Sequence, residues 1–216
     1  MNGYVIAIKG HKKSETASVR CIASGTKFDF HISPFWAITP ENNPEKMLND
    51  LDIPTEKFRE KYSRPENCMA AFLSHYSLWQ KCVETNKPMA IFEHDAVIVD
   101  NIPTQALFNK VMNIGAPSYG RFNQPAYLGV GPLVSKPYFP GAHAYMIKPA
   151  GAKELIEGAK TKPAGPTDLY LSVMNFPWLQ EFNPWPVECR DSFTTIQNET
   201  GCLAKHNYVE GEYEII

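Results

Sequence analysis

Met89-Ala90-Ile91-Phe92-Glu93-His94-Asp95 is an unbroken apolar run that ends in two acids with one residue between them. Such a run suits a strand buried on both faces. Just before it, Asn86-Lys87-Pro88 stops a helix, because proline has no backbone N–H to donate and clashes with the preceding turn. From Ala70 onward the spacing is helical: Ala71, Leu78 and Cys82 fall on one stripe, Phe72, Trp79 and Val83 on its neighbour, with His75 among them. Ala70 to Asp100 therefore reads as helix, turn, buried strand and acidic strand end, followed by a second β-rich run, Ala96 to Val99. Two carboxylates at the tip of a strand can hold a divalent cation against a diphosphate.

Outward from that centre, Tyr4 to Ile8 reads as a first strand, ending at Lys9-Gly10, with a helix opening near Ser14-Glu15. In an open α/β sheet the loop beyond such a strand faces the ligand, so Lys9, His11, Lys12 and Lys13 are placed either to meet phosphates or to form a solvated basic loop. Phe28, Phe30 and Ile32 alternate within a second strand over residues 27–36, and residues 39–65 read as surface loop and short helix. Thr104 to Met112 reads as an amphipathic helix burying Leu107, Phe108 and Val111. Gly115 to Phe139 carries no regular period and accumulates Gly, Pro and aromatic residues, the composition of a functional loop. Gly141 to Ile147 reads as a strand, and Pro149-Ala150-Gly151 opens a helix with Leu155, Ile156 and Ala159. After the break at Pro163–Pro166, Thr167 or Asp168 caps a last helix containing Leu171 and Val173.

The 216 residues are expected to form a single domain, with no internal repeat or low-complexity tract. The 44% hydrophobic and 20% charged residues are a globular composition, and a net charge of −2 advertises no nucleic-acid partner. Cys21, Cys68, Cys82, Cys189 and Cys202 are an odd, scattered set that reads as free thiols of a reducing compartment. The amino terminus lacks a secretory pattern, and no window reaches the ~18 apolar residues of a membrane span. The expected location is cytoplasmic.

Several side chains stand out, each with two readings. Glu93 and Asp95 are metal ligands or a solvated strand end, with His94 between them either turned into the sheet or tuning the site. His75 is a hydrogen-bonded core residue or a ligand-site residue, and Ser74 a helix-surface hydroxyl or its neighbour in the site. Asp168 is a helix cap or a general base. Cys202 and His206, with Cys189, fall short of the four ligands of a zinc site. Trp178 and Trp185 offer flat faces to a sugar ring or pack in the core.

Together these blocks resemble glycosyltransferase family 25, the lipooligosaccharide-biosynthesis and procollagen galactosyltransferase-like group. Leu73-Ser74-His75-Tyr76-Ser77-Leu78-Trp79 is similar to its Leu-Ser-His-x-x-x-Trp helix, and Met89 to Val99 to its strand ending in Glu-Asp-Asp. Gly141-Ala142-His143-Ala144-Tyr145-Met146-Ile147 with Gly151-Ala152-Lys153, and Pro166-Thr167-Asp168-x-x-Leu171, resemble two later blocks. The resemblance covers about residues 70–172 and is loose before them. It implies a GT-A-type nucleotide-sugar-binding α/β fold, a mixed and mostly parallel sheet flanked by helices. It also implies inverting transfer of a hexose, often galactose, from a UDP-sugar to a glycan or other hydroxyl acceptor, as in lipopolysaccharide biosynthesis. By position, Asp95 and Glu93 become ligands of Mn²⁺ or Mg²⁺ and Asp168 the general base. Lys9, Ser74, His75, Glu93 and His143 become donor-binding residues. The middle acid of the motif is replaced by His94, which leaves open a second expectation: a member that binds a nucleotide sugar or glycan without turning it over.

Overall fold

The computed structural model describes residues 1–61, 64–118, 120–190, 193–196 and 214–215. The central element is a seven-stranded sheet in the order β2-β1-β3-β7-β5-β8-β6. Its strands are β1 (Asn2–Ala7), β2 (Ile32–Trp36), β3 (Met89–Glu93), β5 (Val111–Asn113), β6 (Gly129–Pro132), β7 (Ala144–Ile147) and β8 (Gln180–Asn183). β1 runs parallel to β2 and β3, and β5 parallel to β8, whereas β7 is antiparallel to β3 and β5, and β6 antiparallel to β8. Five strands thus point one way and two the other, and the sheet is mixed as expected but not mostly parallel, three of its pairings being parallel and three antiparallel, because β7 inserts antiparallel between β3 and β5 and β6 adds antiparallel at the edge. A small second sheet pairs β4 (Ala96–Ile98) antiparallel with β9 (Val187–Cys189). A third pairs β10 (Phe193–Thr194) parallel with β11 (Glu214–Ile215).

Residue alternation along β3 divides the core between two layers. Met89 and Ile91 face α3 (Pro65–Thr85) and α4 (Pro149–Thr161), joined there by Tyr145 and Ile147 of β7. Ala90 and Phe92 face the side of α1 (Lys12–Thr26), with Val5, Cys21, Ala144 and Met146. A strand sandwiched between helices has apolar residues on both faces, which explains the unbroken run at Met89–Phe92. α3 is correspondingly apolar nearly all round. Residues 68–76 are buried except Ala71, while Val83, placed on a core stripe by its spacing, is 37% exposed.

The short link after α3, with Asn86 in the left-handed conformation at φ 49°, folds β3 back along the helix. Met89 to Glu93 rises about 13 Å at strand geometry, a rise that about nine helical residues match. That carries Glu93 back to the level of His75, and leaves the first turns of α3 projecting beyond the carboxyl edge of β1, β2 and β3. α2 (Pro44–Asp50) and two 3-10 turns fill residues 40–59, much as the polar composition suggested.

Five expectations are corrected. The second strand begins at Ile32, so Phe28 and Phe30 lie before it, where the chain turns through left-handed Asp29 at φ 53° instead of alternating across a sheet. α1 opens at Lys12 rather than near Ser14, because His11 is its cap, accepting the Ser14 N–H on Nδ1 at 3.4 Å. Thr104–Met112 is not a helix: Gln105–Leu107 forms one 3-10 turn with Leu107 54% exposed, and Val111 begins β5. The apolar spacing fits a helix, but the open slot between β7 and β8 supplies backbone partners on both sides of β5, and pairing there wins over local propensity. Among the described residues of 115–139 there is one element, the edge strand β6. Neither Thr167 nor Asp168 caps the last helix. Pro166 does, α5 (Thr167–Tyr170) is a single turn, and Leu171 and Val173 lie past it. The chain turns away there because the Leu171 carbonyl accepts the Phe139 N–H at 2.8 Å.

Candidate active site

The acidic strand end sits on that carboxyl edge, and its three residues turn in three directions. The Glu93 carboxylate turns toward α3. There His75 Nε2 lies 3.1 Å from Oε1, His75 Nδ1 lies 2.9 Å from the Tyr145 hydroxyl, and Trp79 Nε1 lies 2.8 Å from that same hydroxyl. The donor order follows by elimination. An indole N–H can only donate, so the Tyr145 oxygen accepts it and gives its own proton to His75 Nδ1. The neutral imidazole then carries its proton on Nε2 and donates to Glu93. Trp79 and Tyr145 are fully buried and His75 is 1% exposed, whereas the Glu93 side chain is 35% exposed. A buried chain of donors thus ends on a carboxylate that reaches solvent. Burial pushes the Tyr145 hydroxyl well above its ordinary value, opposed by the Trp79 hydrogen bond and reinforced by the Glu93 charge, so the phenol stays protonated.

His94 turns toward α1, where its Nδ1 lies 3.0 Å from the hydroxyl of fully buried Ser14, which also accepts the Ile8 N–H at 2.8 Å. This links the strand end to the loop after β1, on which Lys9 is exposed. Asp95 turns toward the small sheet: the Cys189 thiol donates to Oδ2 at 3.2 Å, and the Arg190 N–H to the Asp95 carbonyl at 3.0 Å.

His143 lies across the strand pair from Glu93, its carbonyl accepting the Glu93 N–H at 2.9 Å. Its ring is buried, and neither nitrogen has a hydrogen-bond partner among the described residues. A side-chain carbon at Gly115 would stand 2.3 Å from Nε2, and one at Gly141, held at φ +117°, would stand 2.6 Å from Nδ1. Only glycine leaves room for the imidazole on both edges. Burial pushes His143 below 6.5, while the charges of Asp95 and then Glu93 pull the other way.

Asp168 stands in the first turn of α5, and its charge acts on Lys136 and on Cys68, in the first turn of α3. Glu93, Asp95 and His143 form one group and Asp168 with Lys136 another, both at the end of the sheet where α3 projects. Ser74 lies apart. It is fully buried, donates to the Ala70 carbonyl at 2.8 Å and accepts the Ile38 N–H at 2.9 Å, tying α3 to the chain after β2 instead of standing on the helix surface. Trp185 donates its indole N–H to Glu181 at 3.2 Å, and Trp178 packs against Phe176. Cys202 and His206 lie outside the described residues.

Among the described residues, no group of three or more His, Cys, Asp or Glu side chains stands at metal-binding spacing. A cation carried in on a diphosphate needs only one or two protein carboxylates, the remaining positions going to phosphate oxygens and water. Glu93 and Asp95 are hard oxygen donors of that kind, Glu93 with its carboxylate reaching solvent and Asp95 with Oδ1 buried and Oδ2 beside the Cys189 thiol.

Sequence reasoning passed over Tyr145 and Trp79, quoted only as parts of motifs, and over Ser14, Lys136 and Cys189 in their present roles. Tyr145 and Trp79 had a usable signal, since each puts a polar tip on a buried position and a buried tip needs a partner. Lys136, in a stretch without periodicity, had none.

No helix among the described residues is long and apolar enough to cross a membrane. A search of curated proteins returns no match. The family model of glycosyltransferase family 25 (LPS biosynthesis protein) matches residues 1–171, taking in the loosely resembling opening strand as well as the four blocks, and the chain belongs to that family.

Proposed function

We propose that the chain is an inverting hexosyltransferase that uses a UDP-sugar donor and acts at the cytoplasmic side on a hydroxyl acceptor of a growing glycan. The observation that carries this reading is the Glu93 carboxylate, pinned from behind by His75, Tyr145 and Trp79 and open to solvent in front, at the strand end the family uses. Asp95 and Glu93 would hold Mn²⁺ or Mg²⁺. When bound, the cation supplies positive charge for the diphosphate. Lys9 and the amino end of α1, a fifteen-residue helix, add fixed positive potential on the same edge. Asp168 takes the proton of the acceptor hydroxyl as its oxygen bonds to the anomeric carbon and the bond from that carbon to the diphosphate breaks. Lys9 and His143 complete the donor side, while Ser74 supports it through α3.

His94 favours a second reading. With its Nδ1 beside Ser14, the residue that replaces the middle acid serves the fold, and such a strand end suits a module that binds a nucleotide sugar without turnover. Purified protein offered a panel of UDP-sugars with Mn²⁺, Mg²⁺ or chelator separates the two. A transferase releases UDP, even slowly to water, and both Asp95→Asn and Asp168→Asn suppress that release, Asp168→Asn by about 10²–10⁴-fold. Full activity in both variants would overturn these roles. Calorimetric binding of UDP with no release over hours would establish the module.

A further inference from the structure

Trp185 lies beyond the family-like blocks, yet the sheet carries it to the edge where the site is built. It follows the carboxyl end of β8 by two residues, and β8 runs parallel to β5, which through antiparallel β7 runs the same way as β3. Glu93 and Trp185 therefore stand at one edge, three strand spacings or about 14 Å apart. Backbone fills the ground between them: the Ala116 N–H donates to the Val187 carbonyl at 2.8 Å, next to Gly115, which leaves room for the His143 ring. Side chains settle the face. Glu181 pairs with Asn113, two residues from Val111, which packs in the core layer of α3 and α4. The Trp185 indole N–H donates to Glu181 Oε2 at 3.2 Å, so Trp185 lies over the α3 face, the face against which α5 with Asp168 also packs.

The indole is fixed there. Glu181 is fully buried, and its other oxygen accepts the Val134 and Ser135 N–H groups at 2.7 and 2.8 Å, which makes the carboxylate a stiff anchor. Phe122, 45% exposed, stands edge-on to the Trp185 ring, with centroids 5.9 Å apart and planes at 84°. The irregular strap that carries Phe122, residues 115–139, is stitched at that point. The Asn123 N–H donates to the Ser135 carbonyl at 2.9 Å, the Asn123 amide to the Val134 carbonyl at 3.2 Å, and the Gln124 amide to Asn183 of β8 at 2.9 Å. Phe122 and half-buried Trp185 thus make a rigid aromatic corner rimmed by exposed Asn123 and Gln124. An indole whose N–H is engaged offers its flat face. Such a face fits the C–H side of a sugar ring, and amides at its rim meet ring hydroxyls. The proposed donor elements, Lys9 and the amino end of α1, follow β1 on the far side of β3 from β8, so the substrate that extends to the corner is the glycan.

We propose that Trp185 and Phe122 form a saccharide-stacking subsite that holds a sugar ring of the glycan beyond the one that receives the hexose. This rests on the reading of the chain as a hexosyltransferase with a glycan acceptor. About 14 Å from Glu93 is more than one sugar ring spans, so the corner engages an oligosaccharide and not a lone monosaccharide at the reacting centre.

The test is calorimetry on the full-length chain with one defined probe, the core oligosaccharide released from lipopolysaccharide by mild acid, and with UDP as the reference ligand. Trp185→Ala should weaken oligosaccharide binding by about 10- to 100-fold, the loss of one large aromatic face. Phe122→Ala should weaken it by about three- to tenfold, and the Kd of UDP should be unchanged in both. No oligosaccharide binding by the unaltered chain, or equal binding by all three proteins, would overturn the subsite. So would a parallel loss of UDP binding, the mark of a damaged fold. Oligosaccharide effects of this size in a chain that releases no UDP from any UDP-sugar would leave the subsite standing and overturn the transferase reading. Trp185→Ala leaves Glu181 one donor short; should it not fold, Phe122→Ala, a change at a half-exposed ring, carries the comparison.

Discussion

The two walls of the site hold their carboxylates by different means. On the α3–β3 wall, Glu93 is the last member of a buried chain in which the polar tips of Trp79, Tyr145 and His75 each meet a partner, and a long helix and a central strand fix the chain from both sides. On the opposite wall, Asp168 sits on a one-turn helix beside a strap, and the order comes from scattered backbone bonds and from buried charge at Lys136 and Glu181. The first wall is stiff because dense packing and satisfied polar groups reinforce each other. The second is stiff only where it is stitched. Under the proposed function both qualities would be used, since a donor diphosphate would have to meet fixed charge whereas the acceptor side would have to admit a second substrate.

Removing one hydroxyl from each wall should expose the contrast most strongly. Tyr145→Phe leaves the Trp79 N–H and a His75 nitrogen unpaired inside the core, at a cost of about 2–4 kcal/mol. For a chain of this length that lowers Tm by about 4–16 °C. Tyr127→Phe removes the bond to the Pro132 carbonyl and the interaction with the Glu181 carboxylate in a half-exposed strap, and should cost less, about 1–2 kcal/mol. Differential scanning calorimetry of the two variants checks this, and equal losses would show that the walls are equally rigid.

A weaker effect separates them by pH. His143 is buried with a folded-state pKa below 6.5, so the unfolded chain binds the proton more readily than the folded one. Where the unfolded state holds more protons, stability rises with pH. The His143 contribution is therefore whole above about 6.5, and is lost progressively as the pH falls below that. A single proton can change stability by at most about 1.4 kcal/mol for each pH unit crossed. Urea unfolding should show lower stability at pH 5 than at pH 7 within that bound, and His143→Asn should flatten the difference. A loss that persists in His143→Asn would place the acid sensitivity elsewhere.

The same contrast governs what could be read from residue order. The stiff wall was legible, because Met89–Phe92 must be buried on both faces and Asn86-Lys87-Pro88 must end a helix. The partners within it were not, because Tyr145 reaches back 70 residues to His75 and 66 to Trp79, and no local period records such a meeting. On the other wall even the elements escaped. β5 is three residues long and exists because β7 and β8 leave a slot for it. Leu107, Phe108 and Val111 carry a spacing that suits a helix equally well. Lys136 had only its charge to show, and a lysine in a loop is ordinarily a solvated one.

The smallest expected effect asks whether the walls form one electrostatic site. Cys68 and Cys82 lie on the same helix, and both thiols are pushed up to about 12 by burial. For Cys68 alone the charge of Asp168 adds to the push. Asp168→Asn removes that charge and leaves burial untouched, so the Cys68 thiol becomes a slightly stronger acid while Cys82 keeps its value. Thiolate is the reactive form, so labelling of Cys68 by a small alkylating reagent should quicken about two- to fivefold, a fraction of a pKa unit. Cys82, exposed to the same openings of the same helix, serves as the internal reference, and mass spectrometry of the labelled peptides gives the ratio. If the ratio does not move, the Asp168 carboxylate is screened from α3, and the two walls act on the substrates separately.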